Sequence, residues 1–156
     1  MPGLVDERLT KQGIKLPGAA TPAANYIPYT VAGNIVFVSG QITMRDGELQ
    51  FLGRLGDDMD VDTGYEAARL CGLNLIAQLK VACDGNLDRV KQVVKLGGFV
   101  NSMPEFTDQP KVINGASDLM VTVFGKPRGQ HARFAVGATS LPLGVAVEVD
   151  GIFEID

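Results

Sequence analysis

Hydrophobic and polar positions along the chain mark out a short list of elements. Leu4, Arg8, Leu9 and Gln12 recur at helical spacing and Gly13 supplies a stop, which predicts an amphipathic helix over residues 3–13. The stretch LPGAATPAANYIPY is rich in Pro and Ala and predicts an extended surface connector. After the turn Ala32-Gly33-Asn34, residues 35–39 (IVFVS) read as a buried strand ended by Gly40. Asp46-Gly47 is a hairpin signal between residues 42–44 and 49–52. Residues 61–83 form the longest helical pattern, with Tyr65, Ala68, Gly72, Leu75, Ile76, Leu79 and Cys83 on one stripe. Gly72 within that stripe implies that the helix lies close on a sheet. Asp84-Gly85-Asn86 ends it. Residues 90–100 (VKQVVKLGGFV) predict a strand in which Gly97-Gly98 marks a bulge or a close approach by another group. A second main helix follows over 111–124, then a basic turn over 125–130. Strands are predicted over 132–138 and, in strict alternation, over 145–155, joined by the turn Leu141-Pro142-Leu143-Gly144.

Strands, helix, strand, helix, strands is an α+β order, with two main helices covering one face of a mixed sheet. The other face must be solvated or buried against another subunit. No linker or composition shift divides the chain, so residues 1–156 are expected to be a single domain, with 1–25 as its N-terminal helix and connector. With 46% hydrophobic and 21% charged residues, the chain can bury a sizeable core. A net charge of -4 disfavours nucleic acid as the main partner, and 6% aromatics without Trp leave few platforms for stacking bases. The N-terminus lacks the pattern of a signal peptide and no apolar run approaches a membrane span, so the expected compartment is the cytoplasm and no membrane contact is foreseen. Cys71 and Cys83 lie about 18 Å apart along one predicted helix, too far for a disulfide. One His and no CxxC spacing give no expectation of a metal site.

The chemistry centres on the segment HARFAVGA. On a strand, Arg133, Ala135 and Gly137 share one face and leave a hollow beside a guanidinium. Arg133 could hold a small carboxylate bidentately, or it could pair with a structural Asp or Glu. Glu148 and Asp150 lie on the polar face of the last strand, opposite Val145, Val147, Val149, Phe153 and Ile155. Glu148 could be a solvated residue, or it could activate a water near Arg133 if the short turn at 141–144 makes the two strands hairpin neighbours. Tyr29 is either a pocket-rim residue or core packing. Asn114 is either a ligand contact or a helix cap, and His131 either a general base or a structural hydrogen-bonding group. No GxGxxG, GxxxxGK or GxSxG pattern is present.

Pro28-Tyr29, Val38-Ser39-Gly40-Gln41, Asn114 opening a helix, Ala132-Arg133-x-x-Val136, Leu141-Pro142 and Val147-Glu148-Val149 occur in the order of the RidA/YjgF family, also known as endoribonuclease L-PSP. The resemblance runs from about Tyr26 to Ile155 and looks like a longer subgroup with an added N-terminal helix. It implies a chorismate-mutase-like α+β fold and a homotrimer with clefts between subunits. It also implies hydrolysis of 2-imino acids, with release of ammonia and without a cofactor. Position by position, Arg133 matches the residue that binds the substrate carboxylate and Glu148 the one that positions water. Tyr29, Ser39, Gly40 and Asn114 match other cleft residues, and Ala135 stands where a Cys is common. The alternatives are a non-catalytic trimer that binds a small carboxylate, or a ribonuclease as in the older family name. A small 2-imino or 2-keto acid is the expected ligand.

Overall fold

A computed structural model describes residues 2–21 and 25–156, so part of the predicted connector lies outside the described residues. The elements follow in the order α1 (Leu4–Lys11), β1 (Tyr29–Ala32), β2 (Ile35–Ile42), β3 (Met44–Arg45), β4 (Glu48–Leu49), α2 (Val61–Ala82), β5 (Val90–Asn101), α3 (Gln109–Phe124), β6 (Ala132–Ala138) and β7 (Val147–Ile155). Five strands form one sheet in the order β1-β2-β7-β5-β6, and β3-β4 form a small separate hairpin. Within the large sheet only β5 and β6 pair in parallel. This is the mixed sheet and α+β architecture that the pattern predicts.

Local chemistry sets the ends of the elements. Asp60 caps α2 by accepting from the Thr63 amide at 2.8 Å. Asp46 and Gly47 both adopt positive φ in the β3-β4 turn, which is why an Asp-Gly pair stands there. Helix α1 is capped from afar: Asp88 accepts from the amides of Leu4 and Val5 at 2.8 and 2.9 Å.

Helices α2 and α3 cover one face of the sheet. Val36, Val38, Leu96, Val100, Val149 and Phe153 of the sheet meet Ile76, Leu79, Ile113 and Met120 of the helices in one buried cluster. The Gly97-Gly98 pair is a double close approach: a Cβ at Gly98 would collide with Ile113 of α3, and one at Gly97 with Asp150 and Phe134 on the opposite face. Gly72 faces α3, where a Cβ would stand 2.9 Å from Leu119 Cδ2, so the expected contact with a sheet is instead a helix crossing. Gly115 completes that crossing from α3, and a Cβ on it would overlap the Tyr65 carbonyl oxygen.

Two expectations about the last strands are corrected. The turn at 141–144 does not form a hairpin, because β5 lies between β6 and β7 and both pair with it. Arg133 and Ala135 do not share an open face with Glu148. In the parallel register Arg133 pairs with Leu96 and Ala135 with Gly98, both of which point to the helices. The open face carries instead Phe37, Phe99, Phe134, Val136 and Ile152, with Lys95, Glu148 and Asp150 among them. Phe99 and Phe134 stack edge to face at 5.3 Å, and Lys95 Nζ lies 5.6 Å from the Phe134 ring centre. Phe37 and Val136 are 44% and 43% exposed, a large apolar surface for a sheet face that no helix covers.

The backbone contact at Gly115 gives a test of the helix crossing. Gly115→Ala should destabilise the protein by about 3 kcal/mol, since rigid backbone must move. Gly72→Ala should cost less, because Leu119 can change rotamer. Equilibrium denaturation that ranked the two the other way would contradict this packing.

Candidate active site

Strand β7 alternates core residues with residues of the open face, and this places Glu148 on the latter, paired with Ile42 and Phe99. Strand β2 does not stop at Gly40 as the sequence suggested; it continues to Ile42 through an irregularity. Val38 pairs with Gly151 and Gln41 with Val149, so β2 inserts one extra residue against β7 at Ser39-Gly40. The bulge brings Gly40 under Glu148, and a Cβ there would run into the carboxylate Oε2. Gly40 is thus a seat for the carboxylate. Ser39 fixes the bulge: its hydroxyl donates to the Pro28 carbonyl at 3.0 Å and its amide to the same oxygen at 2.9 Å.

A cavity of about 920 Å³ opens beside Glu148, walled by the bulge, by Asn74 and Gln78 of α2, by Gly18–Thr21 of the connector and by the β3-β4 turn. It lies where β2 runs on past its pairing with β1, which ends at Val38. Glu148 is half-buried, and burial first, then the neighbouring Asp150, raises its pKa above the ordinary carboxylate range.

Arg133 lies elsewhere, on the edge strand β6 against α3. Its guanidinium donates to Ser117 Oγ at 3.1 Å and to the Pro110 carbonyl at 3.3 Å. Ser117 Oγ lies 2.9 Å from His131 Nε2, and His131 Nδ1 lies 2.7 Å from the Gly129 carbonyl. A carbonyl can only accept, so Nδ1 carries the proton in neutral His131 and Nε2 accepts from the Ser117 hydroxyl. The hydroxyl's lone pairs are thereby turned to Arg133. Among the described residues no Asp or Glu stands within ion-pair distance of Arg133, so the structural-pair alternative has no partner in this chain.

The remaining candidates divide between these places. Ser39 and Gly40 line the cavity with Glu148. Asn114 does not open α3; the helix begins at Gln109, with Pro110 in its first turn. Asn114 is exposed, at helical spacing from Pro110 and Ser117 and hence on the stripe of α3 that flanks Arg133. Ala135 packs against the core beneath Ile113's strand neighbour Gly98. Tyr29 pairs with Val38 and packs half-buried on the core, while Tyr26 and Pro28 reach the cavity. Ser117 was not foreseen, because its partners lie on another element. Gln41, Asn74 and Gln78 were also missed. Asn74 and Gln78 stand one helical turn apart in a segment buried nearly all round, and that could have signalled them. Among the described residues no three His, Cys, Asp or Glu side chains cluster as metal ligands.

Comparison with known proteins agrees with this architecture. Residues 6–154 match the family described as "YjgF/chorismate_mutase-like, putative endoribonuclease". The chain belongs to this YjgF/chorismate-mutase-like family. It is 50% identical to Protein TCP17 of Trypanosoma cruzi, over 99% of this chain and 96% of that one. A solved protein of unknown function from Agrobacterium tumefaciens is 47% identical, with a TM-score of 0.90 over 97% of this chain and 92% of its own. A Shewanella oneidensis structure bearing the same endoribonuclease description is 38% identical, with a TM-score of 0.93 over 98% of this chain and 100% of its own. Coverage this complete takes in the N-terminal helix as well as the sheet. Among the described residues no helix is long and apolar enough to cross a membrane.

The raised pKa of Glu148 has a sign that stability can read. Ionising this group costs more in the folded state than in the unfolded one, so Glu148 destabilises the fold above its unfolded pKa. Below that value it is protonated in both states and the penalty vanishes. Glu148→Gln should therefore raise the melting temperature by a few degrees, roughly 2–4 °C, at pH 7, with the gain shrinking as the pH falls toward about 4.5 and absent below it. Equal melting temperatures at pH 7 would contradict the burial of this carboxylate.

Proposed function

We propose that the protein hydrolyses 2-imino acids to 2-oxo acids and ammonia, in clefts between the subunits of a homotrimer. Arg133 of one subunit anchors the substrate carboxylate, and Glu148 of its neighbour activates water. The observation that carries this reading is the separation of the two residues. The half-buried carboxylate on its glycine seat faces a cavity on one side of the sheet, and the guanidinium without a carboxylate partner stands at the far edge on the other. Neither makes a complete site within its own chain. The exposed apolar residues of the open face support burial of that face against further copies.

The chemistry asks little of the protein. A protonated imine carbon is already electrophilic. Glu148, with a raised proton affinity, takes a proton from water as the oxygen adds to that carbon. The resulting carbinolamine gains a proton on nitrogen and expels ammonia as the carbonyl forms. Water and imine are consumed, and 2-oxo acid and ammonium appear. Fixing the carboxylate with Asn114 and the Ser117-backed guanidinium of Arg133 makes this mainly a proximity effect, with no cofactor called for. Ser39 and Gly40 shape the wall beside Glu148, while Tyr29 and Ala135 pack against the core. The ribonuclease reading rests on the family description. The cavity lining offers carboxylates and no Lys, Arg or His, which suits a phosphate chain poorly.

The test is ammonia release from 2-iminopropanoate generated in place. Glu148→Gln should lower turnover by about 10²–10⁴-fold, while pyruvate affinity changes little or improves. Arg133→Ala should lose pyruvate binding, and Arg133→Lys should rescue it poorly, since an ammonium lacks the planar fork. Turnover unaffected by Glu148→Gln removes the water-activating role. Binding of pyruvate with no turnover in the parent protein makes the trimer a carboxylate-binding protein instead.

A further inference from the structure

The cavity beside Glu148 exceeds what a three- or four-carbon imino acid needs. Such a molecule occupies roughly 200 Å³, counting about 30 Å³ for each of its six or seven water-sized groups. The cavity holds about 920 Å³ and reaches from the bulge to the connector and α2.

The buried amides of its lining share one orientation. Gln41, Asn74 and Gln78 are 8%, 9% and 2% exposed, and all line the cavity. Each turns its NH₂ group onto a backbone carbonyl. Gln41 donates to Ser39 at 3.0 Å, Asn74 to Ile42 at 3.0 Å and Met44 at 2.8 Å, and Gln78 to Ala20 at 2.8 Å. Backbone carbonyls only accept, so the orientation of all three amides is fixed. Each is left with its carbonyl oxygen. Among the described residues none of these oxygens accepts a hydrogen bond, and none is sealed away unpaired, as Asn101 Oδ1 is. Each is therefore open to solvent, on a residue that lines the cavity. Asp46 and Glu148 add carboxylates, and no Lys, Arg or His joins the lining.

Thr21, Tyr26 and Ser39 contribute hydroxyls, that of Ser39 already given to Pro28, so acceptors outnumber donors and favour a ligand that brings donors. Resting on the imino-acid reading above, we propose that the part of the cavity between Asn74, Gln78 and Asp46 is a side-chain subsite. It takes 2-imino acids whose side chain ends in a cationic, hydrogen-bond-donating group of the guanidinium class. Substrates with acidic side chains are turned away by Asp46 and by the amide oxygens. The connector, held by Gln78, forms the outer wall, so the N-terminal extension contributes to selectivity.

Stable 2-oxo acids read this without turnover. Calorimetry compares the 2-oxo acids of arginine, norleucine and glutamate on the parent protein; all three carry the same carboxylate and keto group. The arginine analogue should bind at least about tenfold tighter than the norleucine analogue, and the glutamate analogue weakest. Asp46→Asn keeps a residue that tolerates the positive φ of this turn and should shrink the arginine advantage about threefold. Gln78→Met, checked for cooperative melting, should shrink it too; if that variant fails to fold, Asp46→Asn decides alone. Equal binding of the arginine and norleucine analogues, tighter binding of the glutamate analogue, an unchanged ratio in Asp46→Asn, or no binding of any of the three overturns the subsite. Hydrolysis of the alanine-derived imine in the same preparations separates the two claims. Turnover without the arginine preference leaves the deaminase and removes the subsite, and the preference without turnover does the reverse.

Discussion

The parallel pairing of β6 onto β5 is the constraint from which the arrangement of this protein follows. It sets Arg133 beside Leu96 and so turns the guanidinium to the helix side of the sheet. Antiparallel pairing of β7 on the other flank of β5 sets Glu148 beside Phe99 and turns the carboxylate to the open side. Side chains alternate strictly along a strand, so only a bulge could bring the two to one face. The bulge that does occur lies in β2, and there it serves Glu148 by placing Gly40 beneath it. On the proposed reading these are two half-sites, which a second copy of the chain would join.

Each half-site is prepared in advance. The Gly129-His131-Ser117 chain of hydrogen bonds directs a lone pair at Arg133 and so holds the guanidinium in a fixed orientation. Glu148 sits where burial opposes its charge, which costs stability and raises its appetite for a proton. The amides along the cavity are locked by backbone carbonyls in the same manner. At Arg133 and at the amides the protein meets the polar needs of one end of a group internally and leaves the other end free.

Much of the fold was legible in the sequence because burial leaves a periodic trace. The stripe from Tyr65 to Cys83 and the alternation through Val147, Val149 and Phe153 give α2 and β7 nearly to the residue. Asp46-Gly47 announced its turn, and Gly97-Gly98 announced close neighbours on both faces. Strand order left no such trace. The turn Leu141–Gly144 reads as a hairpin by its length, yet the chain crosses the end of β5 there, and only the pairing partners reveal it. For the same reason Arg133 and Glu148 were read onto one face, whereas the pairing puts them on opposite faces. Ser117 was hidden because its partners lie on another element, and Gln41 because its bond to the Ser39 carbonyl comes with the bulge, whereas Asn74 and Gln78 left a trace as polar residues in a buried helix.

Mixing subunits tests the division of the site most directly. Arg133→Ala and Glu148→Gln trimers, each inactive alone, are unfolded and refolded together in equal amounts. If every cleft takes its arginine from one subunit and its glutamate from the next, random assembly restores one intact pairing in about one cleft in four. Ammonia release from 2-iminopropanoate should then recover to about a quarter of the parent rate. No recovery, with mixed trimers confirmed by mass spectrometry, would contradict a site shared between subunits.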